Sequence, residues 1–231
     1  MSDVIDKLAN ASPPSAPPMS SELEAELRTV AAVKPRRPVR QIATLIGISL
    51  VYGAGLLAAL SMRKDMTELP MGWIVGVAVG WLFGFVVPSY LALVPPAGSM
   101  MPRWQLGAAS AIVASIAFIV LGLLVHPHGP SSLDYSDRFG HGHTCLEIGL
   151  ATALVPVVVG AVFLRGALPV GSRWIAAALG AGGGCLGGLV LHLHCRVADP
   201  KHIGLIHGGV VLVSALLSAL LVPRATDRPL R

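Results

Sequence analysis

Six long apolar stretches follow one another along this chain and decide its fold class. They cover approximately residues 41–61, 71–94, 105–125, 144–164, 174–194 and 203–222. Each has close to the ~20 residues with which a helix crosses the hydrocarbon core of a bilayer. Only helices and closed barrels span lipid, and barrel strands would alternate apolar with polar residues, which these stretches do not. The pattern predicts an all-α membrane protein whose six transmembrane helices form a compact bundle.

The composition supports the same interpretation and excludes several classes of protein. The chain is 54% hydrophobic and 13% charged, whereas average globular chains carry about 25% charged residues. A surface with so few charges must largely face lipid. Soluble enzymes, disordered tails and disulfide-rich secreted scaffolds are therefore excluded as descriptions of the whole chain.

The distribution of Lys and Arg predicts the orientation. With the N-terminus inside, twelve of the 17 basic residues fall in inner segments and five fall in outer loops. By the positive-inside rule, both termini are expected in the cytoplasm. Arg63 and Lys64 depart from this pattern, with Asp65 and Glu68 beside them. The net charge of +5 is thus mainly a topology signal, and no direct contact with nucleic acid is expected.

The first forty residues differ from the rest. We expect residues 1–40 to be a cytoplasmic helical segment, partly disordered, residues 41–222 the membrane domain, and residues 223–231 a cytoplasmic tail. Ser21 and Glu24 have the spacing of a capping box, and Leu23, Leu27 and Val30 then share one helix face. So short an amphipathic helix needs a support, either the bilayer or the groove of a partner protein. A flexible tail whose arginines hold anionic lipid is an equal alternative.

Histidines and cysteines concentrate on the predicted outer side. All eight histidines lie between residues 126 and 207, and Cys145 and Cys195 stand at predicted helix ends on that side. Imidazoles and thiolates are preferred ligands of Zn and Cu, and exposed thiols also react with oxidants. Histidines settling at headgroup level are the structural alternative. The candidate metal ligands, besides the two cysteines, are His141, His143, His192, His194, His202 and His207.

Two local expectations follow from spacing. Cys145 and Cys195 should lie within reach of a disulfide or of one shared metal ion, and His141, His143 and Cys145 would converge if they lie on a loop. Glu147 is the only acidic residue inside the predicted spans, and it needs a partner such as a histidine. The glycine-rich helix five, with small residues four apart, should be central and tightly packed.

The chain resembles the NrsF-like family of bacterial membrane anti-sigma factors, which regulate sigma factors of the extracytoplasmic-function (ECF) type. Four groups of residues carry the resemblance: Leu23–Val30 followed by Pro35–Pro38; Thr144–Leu146 with Pro156; Leu191–Cys195 after the glycine-rich helix; and His207–Gly208. The resemblance implies a bacterial inner-membrane protein whose N-terminal segment holds the sigma factor, and it implies that Cys145 and Cys195 take part in sensing.

The leading hypothesis is thus an anti-sigma factor that binds an ECF sigma factor through its N-terminal segment. Release would follow when the Cys/His site senses a metal ion or an oxidant. The residues expected to contact the partner are Leu23, Leu27, Arg28 and Val30. The alternative is a membrane metal- or haem-binding protein with a role in transport or electron transfer. An enzyme is not expected, since no hydrolase, zinc-protease or phosphate-loop motif occurs.

Overall fold

A computed structural model describes residues 20–22, 24–25, 37–94, 100–124, 135–165, 172–197 and 199–226, without the side chains of residues 135–141. The chain divides into two compact units, Met1–Arg36 and Arg37–Arg231. In the first unit, Ser21, Glu22, Glu24 and Ala25 have helical backbone, and the N–H of Glu24 donates to the carbonyl of Ser20 at 3.0 Å.

Some sequence predictions concern residues outside this description. They are the partner-contacting residues Leu23, Leu27, Arg28 and Val30, and residues 227–231 of the expected tail. The expected boundaries at residues 40 and 222 stay predictions.

The described residues of the second unit form six long helices. They are α1 (Pro38–Leu60), α2 (Met71–Leu93), α3 (Arg103–Leu124), α4 (Tyr135–Leu164), α5 (Ser172–His194) and α6 (Gly208–Thr226), the last preceded by a π-helical turn at His202–His207. Each includes a stretch long and apolar enough to cross a membrane, and no strand occurs among the described residues. The predicted all-α fold with six spans is confirmed, and the predicted limits differ from these stretches by at most three residues.

The outer surface of the bundle is apolar, as a lipid-facing surface must be. Val51, Phe83 and Leu124 expose 74%, 68% and 70% of their surface. In water such exposure would be costly, because each large apolar side chain contributes about 1.5–3 kcal/mol when it is buried. A bilayer removes that cost, so burial inside the protein has to come from helix–helix packing instead.

Helix α5 lies at the centre and contacts each of the other five helices. Its glycines allow this. A Cβ on Gly184 would lie 2.6 Å from the Cα of Val211 in α6, and one on Gly183 would lie 2.9 Å from the carbonyl oxygen of Ala153 in α4. A third face meets α2, where a Cβ on Gly182 would lie 2.9 Å from the carbonyl oxygen of Phe85. The expectation that helix five is central and tightly packed is confirmed.

Candidate functional site

Two cysteines meet at one end of the bundle. Cys145 lies near the start of the membrane-spanning part of α4, which begins at Gly142, and Cys195 follows the last residue of α5. Their Sγ atoms are 3.7 Å apart, and each residue is 7% exposed. The close approach of α4 and α5 at their glycines sets this separation, since a Cβ on Gly187 would lie 3.0 Å from the carbonyl carbon of Gly149. The predicted proximity of the two cysteines is confirmed.

The π-helical turn brings two histidines to the same place. His202 and His207 are five residues apart, which in an α-helix would put them about 140° apart around the axis. A π-helix joins residues five apart by backbone hydrogen bonds, and the N–H of Gly208 here donates to the carbonyl of Ile203. The two imidazoles consequently lie on one side, with ring centroids 5.1 Å apart. Both residues are buried, at 4% and 2% exposure.

Glycines hold this turn against α3. A Cβ on Gly122 would lie 2.7 Å from the Cα of Gly204, and one on Gly208 would lie 2.9 Å from the Cα of Ile119. Side chains larger than hydrogen at these positions would force the turn away from α3. The position of both imidazoles therefore depends on backbone contact between α3 and the π-helical turn.

The four residues Cys145, Cys195, His202 and His207, which we call the Cys/His centre, can offer one ligand atom each within 4.8 Å of one another. A tetrahedral ion with Zn–S and Zn–N bonds near 2.3 and 2.05 Å requires separations of about 3.8 Å for S···S and 3.6 Å for S···N. The observed distances are 3.7 Å between the two Sγ atoms and 3.6 Å from the Sγ of Cys195 to the Nε2 of His202. These two pairs already have the separations of a metal site.

The chemistry of the donors also suits a soft or borderline cation. Hydrogen bonds with Cys145 and with His202 lower the pKa of the Cys195 thiol, which favours the thiolate that binds metals. The Nε2 atom of His207 is buried and forms no hydrogen bond of acceptable geometry within the described part of the chain. Burying such an atom costs free energy, and a metal ion at the centre would use its lone pair.

The other predicted ligands lie elsewhere. His192 and His194 contact carbonyl oxygens, with Nε2 of His192 at 3.0 Å from Ile74 and Nδ1 of His194 at 2.8 Å from Ser61. His143 is exposed, as is Glu147. The side chain of His141 lies outside the description.

The expected convergence of His141, His143 and Cys145 required a loop, and this was wrong, because all three lie within α4. Residues two apart in a helix are on different faces. Accordingly, Cys145 is buried and His143 is exposed.

A residue that the sequence did not mark as part of the site is Arg63, in the loop between α1 and α2. It is 4% exposed, and its guanidinium donates to both carboxylate oxygens of Asp65 at 2.8 and 2.7 Å. This pairing holds the pKa of Asp65 below its usual value. The same guanidinium reaches the carbonyls of His192 and Arg196, on either side of Cys195. The sequence signal for this role was that Arg63 departs from the positive-inside pattern. A buried arginine needs partners, and Arg63 finds them in Asp65 and these carbonyls.

Comparison with known proteins complements this geometry. A family model described as NrsF, negative regulator of sigma F, matches residues 27–227. No curated protein and no solved structure matches the chain. The match covers the six helices and all four residues of the Cys/His centre, and it includes most of the chain. The protein therefore belongs to the family of negative regulators of sigma F.

Proposed function

We propose that this protein is an anti-sigma factor of the bacterial inner membrane, with both termini in the cytoplasm. It sequesters an ECF-type sigma factor through residues 1–40. It releases that factor when the Cys/His centre, on the outer side, binds a metal ion or is oxidised. Family membership supports a sigma factor as the partner. The observation that carries the sensing role is the convergence of two thiols and two imidazoles from α4, the end of α5 and the π-helical turn.

Two signals fit the Cys/His centre chemically. Zn or Cu would be held by the thiolates of Cys145 and Cys195 and by one nitrogen each of His202 and His207, a donor set typical of both ions. Alternatively, a two-electron oxidant would join the two sulfurs as a disulfide, with release of both thiol protons. A disulfide would shorten the 3.7 Å between the two sulfurs and draw α4 and α5 together, whereas a metal ion would close the wider separations within the centre, which reach 4.8 Å.

The partner would be bound by the apolar face of the N-terminal segment. In the helix that the spacing predicts, Leu23, Leu27 and Val30 would share this face, and Arg28 would offer a charge to an acidic group on the sigma factor. The docking of an amphipathic helix into a groove provides the support that so short a helix lacks alone. Membrane lipid is expected to contact the spans and the basic residues near them.

The partner-binding prediction concerns these leucines. We expect the double variant Leu23→Ala/Leu27→Ala to bind the sigma factor at least about tenfold more weakly, because each truncation removes roughly 1.5–3 kcal/mol of apolar burial. Co-purification of the sigma factor with the full-length protein in detergent, followed by a titration, measures the effect. Leu124→Ala, an aliphatic truncation at an exposed position of α3 outside residues 1–40, is the matched control and should bind normally. Absence of any sigma factor from the wild-type preparation would contradict the proposed function.

A further inference from the structure

A groove opens on the lipid-facing surface of the bundle where α3, α5 and α6 meet. Its volume is about 530 Å³, within the ~300–1,000 Å³ of sites that hold small molecules. One end of the groove reaches Arg173 and Trp174, in the first turn of α5. Cys195 follows the last residue of the same helix, about 33 Å away at 1.5 Å per residue. The groove is therefore separate from the Cys/His centre and lies toward the opposite end of the bundle.

Small side chains leave this space between the helices. Where α6 begins, it touches α3 so closely that a Cβ on Gly208 would lie 2.9 Å from the Cα of Ile119. About one to three turns further along α6, the groove lies between the same two helices, because the alanines that face it are too small to fill it. These alanines are Ala111 of α3, Ala177 of α5, and Ala215 and Ala219 of α6.

Long aliphatic side chains form the walls of the groove. Ile112 and Ile116 of α3 and Leu216 of α6 line it, and they are 50%, 58% and 56% exposed. Away from Arg173 and Trp174, the only polar side chain that lines the groove is that of Ser115. Aliphatic walls over an alanine floor suit an extended acyl chain, which would make dispersion contacts along the whole length.

The end of the bundle next to Arg173 is strongly basic. Successive helices run in opposite directions, so the starts of α1, α3 and α5 and the ends of α2, α4 and α6 lie on this side. At these helix ends, the described residues of the second unit include no carboxylate and six arginines: Arg37, Arg40, Arg103, Arg165, Arg173 and Arg224. An anionic ligand would therefore meet attraction and no opposing carboxylate among these residues.

The two residues at the mouth of the groove suit a phospholipid headgroup. Arg173 is exposed, and a guanidinium binds phosphate oxygens through paired, charge-assisted hydrogen bonds. Trp174 beside it is 44% exposed, and tryptophan side chains are enriched at the depth of the headgroups. The groove thus offers a cation for a phosphate at one end and an apolar channel for a chain along the rest.

From this complementarity we infer that the groove binds one anionic phospholipid, whose phosphate pairs with Arg173 while an acyl chain lies between α3 and α6. Basic pockets between transmembrane helices recognise such headgroups in other membrane proteins. The acyl chain fills the space that the alanines leave open. This inference uses neither the sigma factor nor the metal ion, so it is independent of the proposed function.

The experiment measures lipid binding to the full-length protein in nonionic detergent by native mass spectrometry. Phosphatidylglycerol and phosphatidylethanolamine with identical acyl chains are compared, so the two lipids differ in net charge. We expect wild type to bind phosphatidylglycerol more tightly. Arg173→Gln should bind it about fivefold more weakly, the factor expected for one basic residue near an anionic lipid surface. Arg173→Lys, which keeps the charge, should retain most of the affinity.

A second variant tests the apolar part of the groove. Ala219→Leu places a larger side chain in the groove and should weaken the binding of both lipids. Ala43→Leu, at an exposed position of α1, is the control for added size. Arg196→Gln removes an exposed arginine beside Cys195 and is the control for lost charge. Both controls should bind the two lipids as wild type does.

Three outcomes would overturn the inference. Equal affinity of wild type for the two lipids would show that the groove does not select by charge. Unchanged phosphatidylglycerol binding by Arg173→Gln would show that this arginine does not hold the headgroup. A wild-type dimer that dissociates in Ala219→Leu and not in Ala43→Leu would show that a second copy of the chain occupies the groove.

Discussion

Cys195→Ala should bind Co²⁺ or Zn²⁺ at least about a hundredfold more weakly than wild type. The variant loses a direct ligand, and loss of a group that merely orients a ligand already lowers metal affinity by about 10–100-fold. Cys195 is the most direct test because it contacts donors of both kinds, lying 3.7 Å from the Sγ of Cys145 and 3.6 Å from the Nε2 of His202. Competition with a chromophoric chelator measures the Zn²⁺ affinity. Loss of the thiolate-to-Co²⁺ charge-transfer absorption shows that the thiolate ligand is gone.

The chain contains its own control for this change. Cys185 is fully buried in the middle of α5, and its Sγ would lie 2.9 Å from a Cβ on Gly84 of α2, so it acts in packing. Cys185→Ala should keep the wild-type metal affinity while losing some stability. Equal weakening in both variants, or none in Cys195→Ala, would show that the centre does not bind metal through its thiols.

Gly187→Ala is expected to have the largest effect on the fold of the site. The added Cβ would lie 3.0 Å from the carbonyl carbon of Gly149 and closer still to its oxygen, where α4 and α5 are in backbone contact. Neither atom can rotate away, so the helices must separate at a cost of about 1–3 kcal/mol. The separation would also move Cys145 away from Cys195. Thermal unfolding in detergent and the Co²⁺ titration measure the two consequences.

Gly209→Ala provides the comparison for Gly187→Ala. A Cβ on Gly209, in α6, meets no atom within 4 Å. We expect its melting temperature and its metal affinity to match those of wild type. If Gly187→Ala were as stable as Gly209→Ala and bound metal equally well, the backbone contact between α4 and α5 would not be what fixes the cysteine pair.

Much of the fold could be predicted because lipid imposes simple rules. Apolar length gives the spans, and the glycines four apart in α5 indicate the helix that others approach closely. The proximity of Cys145 and Cys195 follows from their matching positions at helix ends. These inferences use properties of single helices, and such properties are visible in the sequence.

The details of the centre depend on contacts between helices, which the sequence does not state. His202 and His207 converge only because the chain forms a π-helical turn against α3. With α-helical geometry they would diverge, and their spacing of five residues was the one available hint. His192 and His194 looked equivalent to them in the sequence, yet they bond to the carbonyls of Ile74 and Ser61. Arg63 has its role through carbonyls about 130 residues away, as the separations of 129 and 133 show.

The central position of α5 has a consequence for how bilayer forces act on the protein. In its most apolar stretch 89% of the residues are buried, against 22% for α1. Changes in membrane thickness or in acyl-chain composition act on the helices that touch lipid, which respond by tilting. Helix α5 is insulated from these forces by its five neighbours, whereas α1 is not. Mechanical stress in the membrane would therefore reach Cys195 indirectly, through the helices around α5 and through the loop that Arg63 anchors, and not through α5 itself.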